Sequence, residues 1–176
     1  MSIRRVVTGH TPQGKAVVAD DARIEPITSG LMPGYAFHAL WSAEGTPVFP
    51  DDGVPGPAGA YFPPAGGMRY LLFTIPPKRL PPDPGIDLQA ERKATEAKLP
   101  GLLGVMEPAN PGMHRSDSID FIFVLSGEIW LELDDGAEVL LRAGETAVQN
   151  GTRHAWRNRS EDPCRMIVFM AGAHRK

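Results

Sequence analysis

From Ser118 onward, apolar and polar residues alternate with a period of two in six short runs. These are Ile119–Leu125, Glu128–Leu133, Glu138–Leu141, Thr146–Gln149, His154–Asn158 and Arg165–Met170. Alternation at that period puts successive side chains on opposite faces of a β-strand. The runs are parted by Ser126-Gly127, Asp134-Asp135-Gly136, Ala143-Gly144, Asn150-Gly151 and Ser160–Pro163. Gly and Asn accept the positive φ that tight hairpins require, and Asp-Gly and Asn-Gly are strong signals for such turns. Short strands at this spacing predict an antiparallel sandwich or barrel. A parallel α/β sheet would need helices between the strands, and no helical period occurs there.

The first hundred residues are organised differently. Shorter β-rich runs occur at Arg4–Val7, Lys15–Ala19, Tyr35–Trp41 and Arg69–Ile75. Between and beyond them lies proline: eleven of the 18 prolines fall from Pro47 to Pro84. Proline has no amide hydrogen to give a sheet, so Pro47–Gly67 is read as a long surface loop. Loops of that length are usually functional or mobile. Ile86–Leu99 (IDLQAERKATEAKL) is the one helix predicted, rich in residues that lose little side-chain entropy on coiling. Its apolar stripe is thin (Leu88, Ala94, Ala97, Leu102), which places it on the surface as a connection, with a lid over a binding site as the alternative. The chain thus divides into an N-terminal β-extension with a proline-rich loop (1–84), a connecting helix (85–103) and a strand-rich core (104–172), together one compact domain.

Composition narrows the function classes. At 176 residues with 42% hydrophobic and 22% charged content, the chain suits one globular domain. A formal charge of −3 leaves no basic footprint for nucleic acid. The N-terminus has no apolar signal region and no run approaches a membrane span, so no membrane partner is expected. The single Cys164 excludes an intrachain disulfide framework and fits a reducing compartment, and the expected location is cytoplasmic. Phosphate loops, nucleophile elbows, paired-Cys zinc spacings and dinucleotide fingerprints are all missing from the sequence.

Parity supplies the first chemical clue. On the run Ile119–Leu125, Asp120 shares a face with Ile122 and Val124, while Phe121, Phe123 and Leu125 point the other way. Both faces of that strand are apolar apart from the carboxylate, so both should be covered, by the barrel interior and by another sheet or subunit. A carboxylate there costs several kcal/mol unless paired, hydrogen-bonded or bound to a metal. His154 likewise shares a face with Trp156 and Asn158.

Two stretches carry a family resemblance: GMHRSDSIDFIFVLSG (Gly112–Gly127) and GETAVQNGTRHAWRN (Gly144–Asn158). Together they resemble the two signature motifs of the cupin superfamily. The first family motif reads His-x-His, three or four residues, Glu, six residues, Gly, and His114, Ser116, Asp120 and Gly127 fall into that frame. The second ends Pro-x-Gly-x-x-His-x-x-x-Asn, matched by Gln149, Gly151, His154 and Asn158. The resemblance implies an all-β double-stranded β-helix, the cupin jelly-roll barrel, with an N-terminal β-extension and one short inserted helix. It also implies a homodimer built through sheet faces or exchanged strands. It carries the metal-ligand positions onto His114, Asp120 and His154, a set that matches the two-His, one-carboxylate triad of non-haem iron and suits one divalent ion (Fe, Mn, Ni or Zn). Ser116, Ile122, Trp156 and Asn158 are the accompanying candidates for a substrate pocket.

Three departures stand out. Ser116 replaces the second His, Asp120 is one methylene shorter than Glu, and Gly144 to His154 is one residue shorter than usual. Three functions therefore remain open. One is a metal-dependent dioxygenase, isomerase or lyase acting on a small organic metabolite. Another is a metal-free barrel that only binds a small ligand. The third is a metal-free acid–base catalyst in which His114 and His154 move protons and Asp120 orients one of them.

Overall fold

The computed structural model describes residues 1–54, 56, 59–77 and 80–176. Positions 55, 57 and 58, within the proline-rich loop, lie outside the described residues, as do 78 and 79. The N-terminal half supplies β1 (Ile3–His10), β2 (Ala16–Ile24), β3 (Ala36–Ala43), β4 (Met68–Ile75) and the helix α1 (Leu88–Lys98). The C-terminal half supplies β5 (Ser118–Ser126), β6 (Glu128–Glu132), β7 (Glu138–Arg142), β8 (Thr146–Asn150), β9 (Ala155–Arg157) and β10 (Cys164–Gly172). Each of the six predicted C-terminal runs is a strand, and all their pairings are antiparallel. Gly127, Gly144 and Gly151, at the hairpin corners, have φ of 76°, 89° and 62°, the region that a side chain disfavours.

A five-stranded sheet ordered β3-β4-β10-β5-β8 faces a three-stranded sheet ordered β7-β6-β9. One apolar core joins them. Leu71, Ile75, Ile122, Val124, Met166, Val168 and Met170 come from the larger sheet, Ile129 and Leu141 from the smaller, with Trp156 packed against them. This is the antiparallel barrel that the alternation predicts, in the all-β jelly-roll form that the resemblance implies. The larger sheet draws β3 and β4 from before residue 84 and pairs β4 with β10 over eight positions, so the barrel is assembled from both ends of the chain.

The β1–β2 hairpin forms a separate two-stranded sheet lying against the β3 edge. Arg5 donates to the Leu40 carbonyl (3.0 Å) and pairs with Asp20 (2.5 Å), while His38 Nε2 donates to the Met1 carbonyl (2.9 Å). His38 is thus buried by the N-terminal segment and does not line the cavity described below.

The helix begins two residues later than the sequence suggests because Asp87 caps it, accepting from the amides of Gln89 and Ala90. Its buried positions also differ from the expected stripe. Leu102 is buried as expected, but Leu88 is exposed, and Thr95 and Leu99, outside the stripe, are buried. Polar contacts dock it: Thr95 and Ser29 share a hydroxyl–hydroxyl hydrogen bond of 2.5 Å, and Glu91 accepts from Gly30 N (2.7 Å). No helix among the described residues is long and apolar enough to cross a membrane.

Among its described residues the proline-rich loop has no strand or helix, yet its C-terminal part is packed. Tyr61 N donates to the Pro100 carbonyl (2.7 Å), and Arg69 holds the Ala60 carbonyl through Nε and Nη2. Gly66 N and Gly172 O, then Gly172 N and Gly67 O, stitch the loop to the end of β10. The approach is so close that a Cβ on Gly172 would lie 1.8 Å from the Pro64 carbonyl oxygen. Gly172→Ala should therefore push the loop off β10 and cost about 1–3 kcal/mol, as overpacking does. Urea unfolding checks this, and unchanged stability would show that the loop is not held at this point.

Candidate active site

The site begins with two backbone hydrogen bonds. His114 N donates to His154 O (3.0 Å) and His154 N donates to His114 O (2.9 Å). This reciprocal exchange is an isolated antiparallel bridge between segments forty residues apart, and it sets the two side chains directly opposite each other. The imidazole centroids are 4.3 Å apart. Phe62 flanks His114 at 5.9 Å, and Trp156 meets His154 edge-on at 5.9 Å.

Both rings open onto a cavity of about 530 Å³ inside the barrel. Asp120, Ile122, Trp156 and Asn158 line it too, so six of the seven candidates from the sequence meet there. Ser116 does not. It is buried behind the wall, its hydroxyl 3.0 Å from that of Ser118, and Ser118 donates to Asp120 Oδ1 (2.6 Å). Asn158 reaches the cavity but spends its amide on structure, donating to the carbonyls of Ile75 and Asp162 and accepting from Ser160. Parity is as expected on β5: Asp120, Ile122 and Val124 are buried, and Phe121, Phe123 and Leu125 are exposed in the single chain.

Sequence reasoning missed several wall residues. Tyr61 and Phe62 come from the proline-rich loop, Tyr35, Phe37 and Phe73 from the N-terminal half, and Arg92 from α1. The aromatic pair Tyr61-Phe62 inside a Pro/Gly-rich stretch was the available signal, since large apolar side chains seldom stay in solvent. Arg157 is also structural here. It pairs with Glu132 (2.6 Å) and ties down the segment before His114 by donating to Asn110 (2.8 Å) and the Pro111 carbonyl (2.5 Å).

Hydrogen bonding holds both rings through their Nδ1 atoms. His114 Nδ1 lies 3.0 Å from the Gly112 carbonyl, so it carries the proton and Nε2 keeps a lone pair. His154 is set differently by Gln149, which the sequence offered only as an occupant of the family's proline position. The Gln149 amide nitrogen lies 2.6 Å from the Thr152 carbonyl, 2.9 Å from Thr152 Oγ1 and 2.6 Å from His154 Nδ1. Turning that amide over would set Oε1 against the Thr152 carbonyl, acceptor on acceptor. His154 Nδ1 lies between the Gln149 amide nitrogen and the Thr152 carbonyl, 3.1 Å away, and accepts from the first or donates to the second according to its tautomer. Gln149 Oε1 is buried without a partner among the described residues.

Burial shifts every ionisable group on this floor. It pushes the Asp120 carboxyl up to about 6, with the Ser118 hydrogen bond opposing. It pushes His154 down to about 4, reinforced by neighbouring His114. His114 is also lowered by burial, against the Gly112 carbonyl and the charge of Glu107. Tyr61 is raised by burial and then by the charge of Asp120. At neutral pH both imidazoles are neutral, and Asp120 is the group close to its own midpoint.

As placed, these residues do not fit a common metal ion. Among the described residues no three His, Cys, Asp or Glu side chains form a metal-holding group. Asp120 is bound to Ser118 and is not among the charges that shift either imidazole.

An enclosed barrel with an imidazole pair and a buried carboxyl on an apolar floor belongs to the class of small-molecule sites. Residues 103–170 match the family profile described as the cupin domain. A phomopsin biosynthesis cluster protein of Diaporthe leptostromiformis is 52% identical over 58 residues, 33% of this chain and 31% of that protein. A cupin-domain-containing oxidoreductase of Neurospora crassa is 31% identical over 91 residues, 48% of this chain and 46% of that protein. Matches to such curated relatives thus span between about a third and a half of their length. Among solved structures, an RmlC-like cupin of Methanocaldococcus jannaschii with a double-stranded β-helix fold has a TM-score of 0.37 at 15% identity, covering 60% of this chain and 70% of that one.

The two shifted groups oppose each other in stability. Between about pH 4 and 6 folded Asp120 holds a proton that the unfolded chain has released, so its contribution falls as pH rises. Over the same window folded His154 lacks a proton that the unfolded chain binds, so its contribution rises with pH. The two slopes nearly cancel. Asp120→Asn removes one of them, and its unfolding free energy relative to wild type should climb by up to about 1.4 kcal/mol per pH unit from pH 4 to 6. Urea titrations at four pH values check this; parallel pH profiles for the two proteins would show that Asp120 is not shifted.

Proposed function

We propose that this protein acts on a small organic metabolite by metal-free acid–base chemistry. His154 supplies a donor at Nε2, His114 accepts a proton at Nε2, and Asp120 exchanges a proton near neutral pH. The observation that carries this reading is the pair of adjacent imidazoles, 4.3 Å apart, to which we assign opposite proton positions because the Gln149 amide lies closer to His154 Nδ1 (2.6 Å) than the Thr152 carbonyl does (3.1 Å). Such a pair suits isomerisation or elimination: His114 takes a proton from carbon, the electron pair forms the new double bond, and His154 protonates the departing or receiving oxygen. The apolar walls keep water away and leave both imidazoles neutral and ready.

A second reading keeps one Fe, Mn, Ni or Zn ion on His114 and His154, with Asp120 as third ligand, in an oxygenase or other oxidoreductase. The Thr152 carbonyl favours it, lying 3.1 Å from His154 Nδ1, where it would accept a proton and free Nε2 as a ligand. The name of the Neurospora crassa relative points the same way. A purely ligand-binding barrel is the non-catalytic counterpart of the first reading.

Long-range proton–nitrogen NMR separates these readings. Metal-free chemistry expects Nδ1–H at His114, Nε2–H at His154 and substoichiometric metal in protein purified without a metal column. It also expects deuterium uptake from D2O into a panel of enolisable keto acids, lost in His114→Gln and in His154→Gln. One retained equivalent of Fe, Mn, Ni or Zn together with Nδ1–H at His154 would overturn it in favour of the second reading. The predicted tautomers without exchange into any panel compound would leave the binding reading.

We further propose a cytoplasmic homodimer joined through the outer face of the larger sheet. Val148, Phe121, Phe169 and Tyr70 are consecutive cross-strand neighbours on that face, and Phe123 and Leu125 extend it; Val148 is 61% and Phe121 47% exposed. A two-fold axis would bury this one patch on itself, as isologous dimers do. The hairpin covers only the β3 end. Phe121→Lys with Phe123→Lys should convert a dimer to a monomer in sedimentation velocity with the fold retained, and a monomeric wild type would dismiss the idea.

A further inference from the structure

The charges around the cavity are almost all spent. Arg157 is paired with Glu132, Arg159 with Glu138, and Glu107 with Arg153. Arg92 is the exception. It lines the cavity from the exposed face of α1 and forms no ion pair among the described residues. Its helical partner is committed elsewhere: Glu96, one turn on, accepts from Gly101 N (2.6 Å). The preceding Glu91 points away along the helix and accepts from Gly30 N (2.7 Å). Lacking an ion-pair partner among the described residues, this guanidinium stands at the mouth of a pocket whose walls are Tyr35, Phe37, Tyr61, Phe62, Phe73 and Trp156 and whose floor holds the imidazole pair.

We propose that the cavity takes an amphipathic organic acid: a ring-bearing apolar body against the aromatic walls, a carboxylate held by Arg92 at the mouth, and the reacting carbonyl or hydroxyl end at His114 and His154. The volume of about 530 Å³ lies within the range of small-molecule sites. A single guanidinium matches one carboxylate in fork geometry. A phosphate dianion would call for more donors, and the remaining cations of the rim are already neutralised. The proposal rests on the acid–base reading only for the orientation of the bound acid; the anchor itself is independent of it.

Binding of 2-naphthoate and of its neutral methyl ester, followed by calorimetry at low salt, tests the anchor. Wild type should prefer the acid by about five- to tenfold, the range for a charge-assisted hydrogen bond at an exposed position. Arg92→Gln should erase the preference while leaving ester affinity unchanged, and Arg92→Lys should keep part of it. Arg92 is exposed on the helix, so neither variant threatens folding. Equal affinities in wild type, a preference that survives Arg92→Gln, or no binding of either probe would overturn the proposal. His154→Gln should keep the preference for the acid, so failure of the anchor and failure of the acid–base reading give different results.

Discussion

Everything in the site hangs on the reciprocal backbone exchange between His114 and His154. Neither residue belongs to a long strand. One precedes β5 by four positions and the other immediately precedes β9, so the two sit on segments of different sheets. Two amide–carbonyl bonds close that gap and set the imidazoles side by side, tilted by 49° with centroids 4.3 Å apart. The supports are arranged around that bridge. Arg157 of β9 reaches Asn110 and Pro111, and Glu107 and Met113 pair through their backbones, so the approach to His114 is fixed on both sides. Gln149, at the end of β8, completes it by holding the Thr152 carbonyl and His154 Nδ1 together.

The barrel was legible because its information is local. Period-two alternation and positive-φ turn residues fix strand, corner and inward face without knowledge of partners, and Asp120, Ile122 and Val124 fell inward as read. The imidazole pair was legible only through the spacing of two motifs. What stayed hidden was non-local. Tyr61 and Phe62 belong to a stretch whose prolines say only that it is not sheet, and their placement depends on Pro100, Arg69 and Gly172, all distant in sequence. The helix misled for a related reason. A scan for apolar periodicity finds Leu88, whereas the docking contacts are the polar Thr95 and Glu91, whose partners Ser29 and Gly30 lie some sixty residues earlier.

The cavity also shows how little charge an enclosed floor can tolerate. A buried carboxylate or imidazolium needs a partner, and without one the pKa moves until the group is neutral. Here the imidazoles move down and the carboxyl moves up, so burial brings all three toward neutrality from opposite sides. A floor of that kind accepts an uncharged polar group readily. It leaves any ionic anchoring to the mouth, where water screens the cost.

The sequence departures make sense as one change. With a Ser at position 116 in place of the family's second His, the hydroxyls of Ser116 and Ser118 form a short polar row beneath the strand. Asp120 ends that row, accepting from Ser118, and a carboxylate one methylene shorter than Glu is drawn back toward the backbone by roughly 1.5 Å, the length of one C–C bond. The carboxylate faces the cavity near Tyr61. Gln149 then does for His154 what proline at that position could not, because proline has no side-chain amide to give. Ser116, Asp120 and Gln149 each weaken the same thing, a three-donor metal centre. Each also fits the metal-free reading proposed above, a neutral floor beneath an apolar cavity.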